Sequence, residues 1–523
     1  MRTLLKLIFI AIGTVFTLVV EAQVTPALLK QSDFSGISGS KNAEQVKKLY
    51  DRLGYQTIWI EEKNRASRNS LFNLLNLADD YGLNEKDYQY DLIQSLRNNQ
   101  GKLNSTEDSI KADILLSEAA IHFFTELRSG NAAPQLGYNG LNYKAAPGDI
   151  IEKLAVYFSK GKPESAVPEF EPGFREYLAT KNKLIQLLRI TNEKEFKEMV
   201  ITSNKPVNSN IPLLTKLYQL GILDSANTRI SDIELKEKIK KADRLFNLPQ
   251  NGTISKTLLQ ELNIPVSTRI KELKLALNTW RWLQHARQSQ NIIVVNIPSA
   301  TLLVYRNGNL EFESKIIVGK KSTPTPTLSS RITEVILYPY WMVPNKIATQ
   351  ELLPAIKRNI DYLAANNYQV LNREAKIMDP YKINWSELSS LNFPYIIRQS
   401  TGCDNSLGIV KLNFYNPYGV FLHDTPGKNL FTRNKRYFSH GCMRVEKAIE
   451  LAHLILKGNT IAIDTLEEKG CLLHQSPIVV PANDTMAVFV FYNTAWIDAG
   501  MNISFNEDVY NKLDAILKKS TGN

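Results

Sequence analysis

The sequence predicts a multidomain α+β protein, helical in its first half and mainly β in its second, with a helical insertion in the β region. Three observations carry that expectation. The chain has 523 residues, more than one ordinary domain holds. From Ala43 to about Arg189 apolar residues recur at helical spacing, as at Val46, Leu49, Tyr50 and Leu53. At about Asn291 the texture changes to short β-rich runs broken by turn residues. Hydrophobic residues make up 43% and charged residues 22%, which excludes wholesale disorder, a collagen-like repeat and a polytopic membrane protein.

The N-terminus comes first. Arg2 and Lys6 flank the start, an uncharged and mostly apolar run follows from Leu7 to Val20, and Val20-Glu21-Ala22 places small residues before Gln23. That pattern predicts a signal peptide over residues 1–22. The competing reading is a retained anchor, for which the run is short, since a span needs about 20 residues. No cysteine lies near the cleavage point to take a lipid, and no later segment has 18 consecutive apolar residues. An exported, soluble chain without stable membrane insertion is expected. Its formal charge falls from +11 to +10, a surplus that suits an anionic partner.

Residues 23–40 read as a leader and 41–200 as a helical region, with a long amphipathic helix over Glu107–Leu127. His122 lies in its apolar stretch and reads as a packed core residue. Residues 206–265 read as a small helical module. Its segments are Pro212–Leu220, Ile233–Phe246 and Lys256–Leu262, the last capped by Ser255. A connecting helix spans Arg269–Arg287 within 266–290. The β region follows over 291–500. Ile292–Ile297, Ala300–Tyr305 and Glu313–Val318 read as strands, the latter two joined by an Asn307-Gly308 hairpin turn. Further strands are expected at Val335–Tyr340, Tyr395–Arg398, Gly408–Phe414, Gly419–Leu422, Thr460–Asp464 and Met486–Phe491. A polar, helical insertion interrupts them at 347–391, and a helix near Val509–Lys518 closes the chain within 501–523.

Three cysteines, Cys403, Cys442 and Cys471, exclude a disulfide scaffold, and the odd count leaves at least one thiol without an intrachain partner. In an oxidising compartment an idle thiol is a liability. Cys442 has chemical company. It follows His423 by 19 residues and His440 by two, in Ser439-His440-Gly441-Cys442-Met443-Arg444. Acyl transfer by a thiol needs a base within reach and donors for the oxyanion. Imidazole titrates near working pH, and Gly441 lets backbone amides approach closely. Arg444 can lower the thiol pKa or bind a substrate carboxylate. Two other readings compete: a zinc site, for which the spacing is unusual and a fourth ligand is lacking, and a buried structural cysteine. Spacing does not decide which histidine is the base. Cys403 and Cys471 both lie in the β region, and sequence does not show whether they pair.

The text around Cys442 is more specific than its spacing. Ser-His-Gly-Cys-x-Arg, with Val420-Phe421-Leu422-His423-Asp424-Thr425-Pro426 upstream, resembles the L,D-transpeptidases of bacterial cell walls, in their large multidomain periplasmic branch. Arg436-Tyr437-Phe438-Ser439, Tyr340-Trp341-Met342-Val343-Pro344, Asn405-Ser406-Leu407-Gly408 and Asn493-Thr494-Ala495-Trp496 are similar to other signatures of that family. Residues 41–200 look like its helical scaffold, and the module at 206–265 resembles a peptidoglycan-binding domain.

The resemblance implies Cys442 as nucleophile and His423 as general base, oriented by Asp424 through its backbone carbonyl or, as the alternative, its side chain. It implies His440, Gly441 and the Cys442 amide at the oxyanion, with Ser439 and Arg444 supporting the loop or a substrate carboxylate. Trp341, Phe421 and Tyr437 are candidate substrate contacts. Trp341 reads equally well as a core residue, and Phe421 replaces the tyrosine usual at its position. No cofactor and no metal is implied. The implied reaction is a two-step transfer through a thioester, releasing D-Ala from a tetrapeptide stem and forming a 3→3 cross-link. Water or a free D-amino acid as acceptor would give carboxypeptidase or exchange activity. The implied partners are peptidoglycan stem peptides and other cell-wall synthesis proteins, not nucleic acid. The implied compartment is the periplasm, and carbapenems are the implied inhibitors. The contrasting hypothesis is a catalytically idle wall-binding scaffold.

Overall fold

The computed structural model describes residues 24–39, 42–98, 103–145, 148–202, 210–225, 230–457, 466–482 and 485–520. The expected signal peptide and the expected strand Thr460–Asp464 lie outside them. The chain divides into two compact units. One gathers the described residues of 1–77, 84–124 and 149–169. The other gathers 78–83, 125–148 and 170–523.

The first unit is helical. Ala43–Arg52, Arg65–Asn76, Tyr90–Arg97, the front of Thr106–Ser129 and Ile150–Ser159 bury Tyr50, Trp59, Phe123, Phe124 and Phe158. Trp59 meets Phe158 edge-on at 5.0 Å, and His122 meets Tyr88 in the same way at 5.3 Å.

In the second unit the helices of 206–265 carry the expected cap at Ser255 and a further one at Ser231. Ser231 accepts the Glu234 amide at 3.2 Å and Ser255 the Leu258 amide at 3.0 Å, which starts the helices Asp232–Leu245 and Lys256–Leu262. The helix Val266–Ser289 is buried around most of its circumference although it is not apolar all round, and its buried Arg269 and Arg287 are paired with Glu272 and Glu176. It packs along the helix Arg175–Thr191. Arg287 bridges to Glu176 at 3.1 Å, and the Tyr305 hydroxyl donates to the same carboxylate.

The β region opens with β1 (Tyr138–Asn139), β2 (Ile292–Asn296), β3 (Thr301–Arg306), β4 (Asn309–Gly319) and β5 (Leu328–Leu337). In and beside the insertion lie β6 (Trp341–Met342), β7 (Tyr368–Leu371), β8 (Ile377–Met378) and β9 (Ile396–Gln399). Then come β10 (Val410–Phe414), β11 (Leu422–His423), β12 (Tyr437–Ser439), β13 (Met443–Val445), β14 (Ile478–Pro481), β15 (Ala487–Phe491), β16 (Ala495–Ile497) and β17 (Ile503–Phe505). The main sheet runs β1-β5-β10-β11-β13-β4-β3-β2-β15, and a β5–β15 pairing closes the ladder on itself. β2 is buried along its whole length because both faces are covered. Ile292 and Val294 meet the Trp280–Trp282 side, while Ile293 and Val295 join the core enclosed by the sheet. Asn307 and Gly308 both take positive φ, 50° and 77°, as the tight hairpin after β3 requires.

Three elements differ from expectation. The strand expected at Gly419–Leu422 is confined to Leu422–His423. β5 begins at Leu328, not Val335. Its front half, Leu328-Ser329-Ser330-Arg331, has little apolar alternation and is held by pairing with β15. The stretch 347–391 is helical only in its first part. Tyr368–Leu371 pairs with β9 and β8, and with β6 forms a four-stranded sheet around a separate small core of Val343, Leu352, Ile356, Val370, Trp385 and Ile397.

Candidate active site

Strand register assembles the site. Lys411 on β10 faces His423 on β11, which faces Arg444 on β13. One residue along, Leu412, Leu422 and Met443 face one another and are buried in the core. Side chains alternate across a sheet, so Lys411, His423 and Arg444 share the opposite face. Phe421 and Cys442 lie two residues before His423 and Arg444, and the Met443 amide still donates to the Phe421 carbonyl at 3.0 Å. Alternation therefore brings Phe421 and Cys442 to the same face. The Phe421 ring sits 5.5 Å from that of His423, and the Lys411 ammonium lies 4.2 Å from the Phe421 ring centre.

His423 is buried, and its Nδ1 lies 2.6 Å from the Asp424 carbonyl oxygen. A carbonyl only accepts, so Nδ1 carries the proton and Nε2 keeps the lone pair. Burial, with the Arg444 guanidinium beside it, pulls the imidazole from 6.5 down to about 3 against the pull of the Asp424 and Leu407 backbone. Burial likewise pushes the Cys442 thiol up, while the Phe421 backbone, Lys411 and Arg444 draw it back. Thiol and imidazole are thus both neutral at ordinary pH. The Asp424 carboxylate is engaged elsewhere, accepting from the Ile409 amide at 3.1 Å and from Lys428 at 2.6 Å. It fills the space beside Gly408 (φ 61°), where a Cβ would stand 2.2 Å from Oδ2.

The loop before β13 is closely tied. Ser439 Oγ donates to the Cys442 carbonyl at 2.5 Å and accepts the Gly441 amide at 3.1 Å. Thr325 donates to the Gly441 carbonyl at 2.8 Å. Gly441 takes φ 120°, a left-handed conformation that a side chain would strain. With the Gly441 amide committed, the Cys442 amide is left with no protein acceptor among the described residues. A cleft of about 390 Å³ opens beside this loop, bordered by Pro324, Thr325, Val420, His440, Gly441 and Lys512.

Comparison with known proteins decides the type of domain. Residues 290–463 match the family model of the L,D-transpeptidase catalytic domain, and residues 44–184 match a scaffold-domain model. Residues 290–463 are an L,D-transpeptidase catalytic domain. A Haemophilus influenzae protein, whose L,D-transpeptidase name is itself provisional, is 37% identical over 237 residues, 45% of this chain and 47% of the relative. The chain thus spans about half the length of that curated relative. Solved structures overlap only partially. An L,D-transpeptidase from Mycobacterium smegmatis has 13% identity and a TM-score of 0.19, covering 38% of this chain and 58% of its own. One from Enterococcus faecium has 11% identity and a TM-score of 0.16, covering 51% and 86%.

Not every candidate of the transpeptidase domain gathers at the thiol. His440 turns away to Glu351 of the insertion, with 2.7 Å between Nε2 and Oε1. Among the described residues no three metal-ligating side chains converge. Trp341 packs with the insertion's own core, 6.4 Å from Tyr368. Tyr437 spends its hydroxyl on the Pro298 carbonyl at 2.6 Å. Cys403 and Cys471 are free and exposed, and the neighbouring Cys403 thiol pushes the pKa of Cys471 up. Two residues at the site escaped the sequence reading, Lys411 and Glu351. Polar alternation in Val410-Lys411-Leu412-Asn413-Phe414 is the only signal the first of them left.

Proposed function

We propose that this protein is a peptidoglycan L,D-transpeptidase working through Cys442. The observation that carries the reading is the juxtaposition of Cys442 and His423 on one sheet face within an L,D-transpeptidase domain. Because both groups are neutral, attack is coupled to proton transfer. The sulfur bonds to the carbonyl carbon at the third residue of a tetrapeptide stem as its proton passes to His423 Nε2. The Cys442 amide holds the oxyanion. The amide bond to D-Ala breaks, and its nitrogen leaves with the proton from His423. A thioester remains. The side-chain amine of a second stem attacks it, gives its proton to His423 and restores the thiol, leaving a 3→3 cross-link. Asp424 fixes the imidazole through its carbonyl, while Ser439 and Gly441 hold the loop in shape.

The insertion reaches this loop through Glu351 and His440, which supports its reading as a lid that excludes water. Export through residues 1–22, action in the periplasm and wall binding through 206–265 belong to the same proposal. Among the described residues, no helix is long and apolar enough to cross a membrane. Incubation with disaccharide-tetrapeptides should give cross-linked dimer by mass spectrometry. Tripeptide alone would replace the transpeptidase reading with carboxypeptidase activity, and no product would favour the idle scaffold.

A further inference from the structure

Two cations stand at the thiol without a partner. Lys411 and Arg444 flank His423 in one cross-strand row, and Cys442 opens the same face. Neither cation forms an ion pair among the described residues. Glu334, the acid that attracts Lys411, is itself bonded to Asn413 at 2.7 Å. Arg444 Nε is buried with no hydrogen-bond partner. Arg269 and Arg281 also leave Nε unpartnered, but both spend terminal nitrogens on protein acceptors, and Arg444, among the described residues, does not. Arg436, eight residues earlier, is the fully satisfied case. It is buried and donates to the carbonyls of Ile316, Ser299, Ala300, Arg433 and Asn434. A buried guanidinium nitrogen without an acceptor is costly unless a ligand completes it.

We infer that Lys411 and Arg444 form a clamp for the free C-terminal carboxylate of the acyl donor, and that Lys411 makes this enzyme select donors carrying it. The inference rests on the transpeptidase reading above. Bond counting selects this carboxylate. Its carbon lies three bonds from the scissile carbon, through the departing nitrogen and Cα, so it stays beside the thiol during attack. Other carboxylates of a stem lie further along the chain. The ring of Phe421 supports the Lys411 ammonium, with 4.2 Å between them, and aims it along the face. Binding of the carboxylate also offsets the Arg444 and Lys411 charges that add to burial in holding His423 neutral, so the base strengthens when the donor is seated.

The test compares two synthetic tetrapeptide stems, one ending in a free carboxylate and one in a carboxamide. Thioester formation on the full chain is followed by intact mass. Wild type should prefer the acid by about 10- to 100-fold, the scale of a charge-assisted contact. In Lys411→Met the preference should fall to within about threefold, through loss on the acid alone, and Lys411→Arg should keep most of it. Equal rates on both stems in wild type overturn the clamp, as does a Lys411→Met variant slowed equally on both. That second result would make Lys411 a thiolate stabiliser. A wild type acylated by neither stem overturns the transpeptidase reading and the clamp with it.

Discussion

The helical unit and the catalytic sheet each bury a titratable group, and they treat it in opposite ways. Asp113 sits fully buried in the helical unit with its carboxylate saturated. Oδ2 takes the Tyr50 hydroxyl at 2.6 Å and the Ile58 amide at 3.0 Å, while Oδ1 takes the amides of Trp59 at 2.7 Å and Ile60 at 3.1 Å. Ser117 completes the network by accepting from Trp59 Nε1 at 2.9 Å. In the sheet, His423 has one nitrogen fixed by a carbonyl and the other left with a lone pair, next to an arginine whose Nε has no partner. A saturated buried group shapes a loop, whereas one with spare capacity beside a thiol is held for a ligand. Burial alone does not separate architecture from chemistry; what sets the sheet apart is that its unused capacity lies beside a thiol.

That contrast can be broken by mutation. The largest effect should come from His423→Gln, which keeps volume and hydrogen bonding but removes the base. Acylation of Cys442 should slow by about 10²–10⁴-fold with little change in melting temperature. Asp113→Ala should do the reverse. It leaves a hydroxyl and three amides without their acceptor and should cost about 3 kcal/mol or more in denaturant unfolding. A stable Asp113→Ala variant, or a reactive His423→Gln variant, would dissolve the distinction.

Titration sharpens it, because the two groups have opposite signs. His423 is depressed to about 3 in the fold and returns to 6.5 on unfolding. Its contribution to stability is therefore complete above pH 6.5 and is lost as pH falls toward 3. Wild type should lose up to roughly 3 kcal/mol relative to His423→Gln between pH 7 and pH 4. Burial raises Asp113 above 3.8, so its contribution is complete below that value and is lost as pH climbs through the raised one. The smallest effect should come from Glu351→Ala. Its contact with His440 is half exposed and worth about 0.2–1 kcal/mol, so acylation should change by less than about tenfold.

Much of this was legible in the chain. Cys442, His423 and Arg444 could be found because a short loop and a strand end encode them in contiguous text. The capped helices at Ser231 and Ser255 follow from local hydrogen bonding. Lys411 could not be found, because its role comes from the register between β10 and β11, and no local pattern states which residues face each other across strands. The strands β7 and β8 hid for a related reason, since β7 is held by β9, which lies outside the run that reads as helical, and β8 is held by β7. Glu351 reads as one more polar helix residue until the fold sets it against His440.

Covalent labelling tests the central claim, an acylatable Cys442, most directly. Purified protein is incubated with a carbapenem and weighed intact. One adduct should form, map to Cys442 and vanish in Cys442→Ala. An unmodified wild type, or an adduct that persists in Cys442→Ala, would contradict the account.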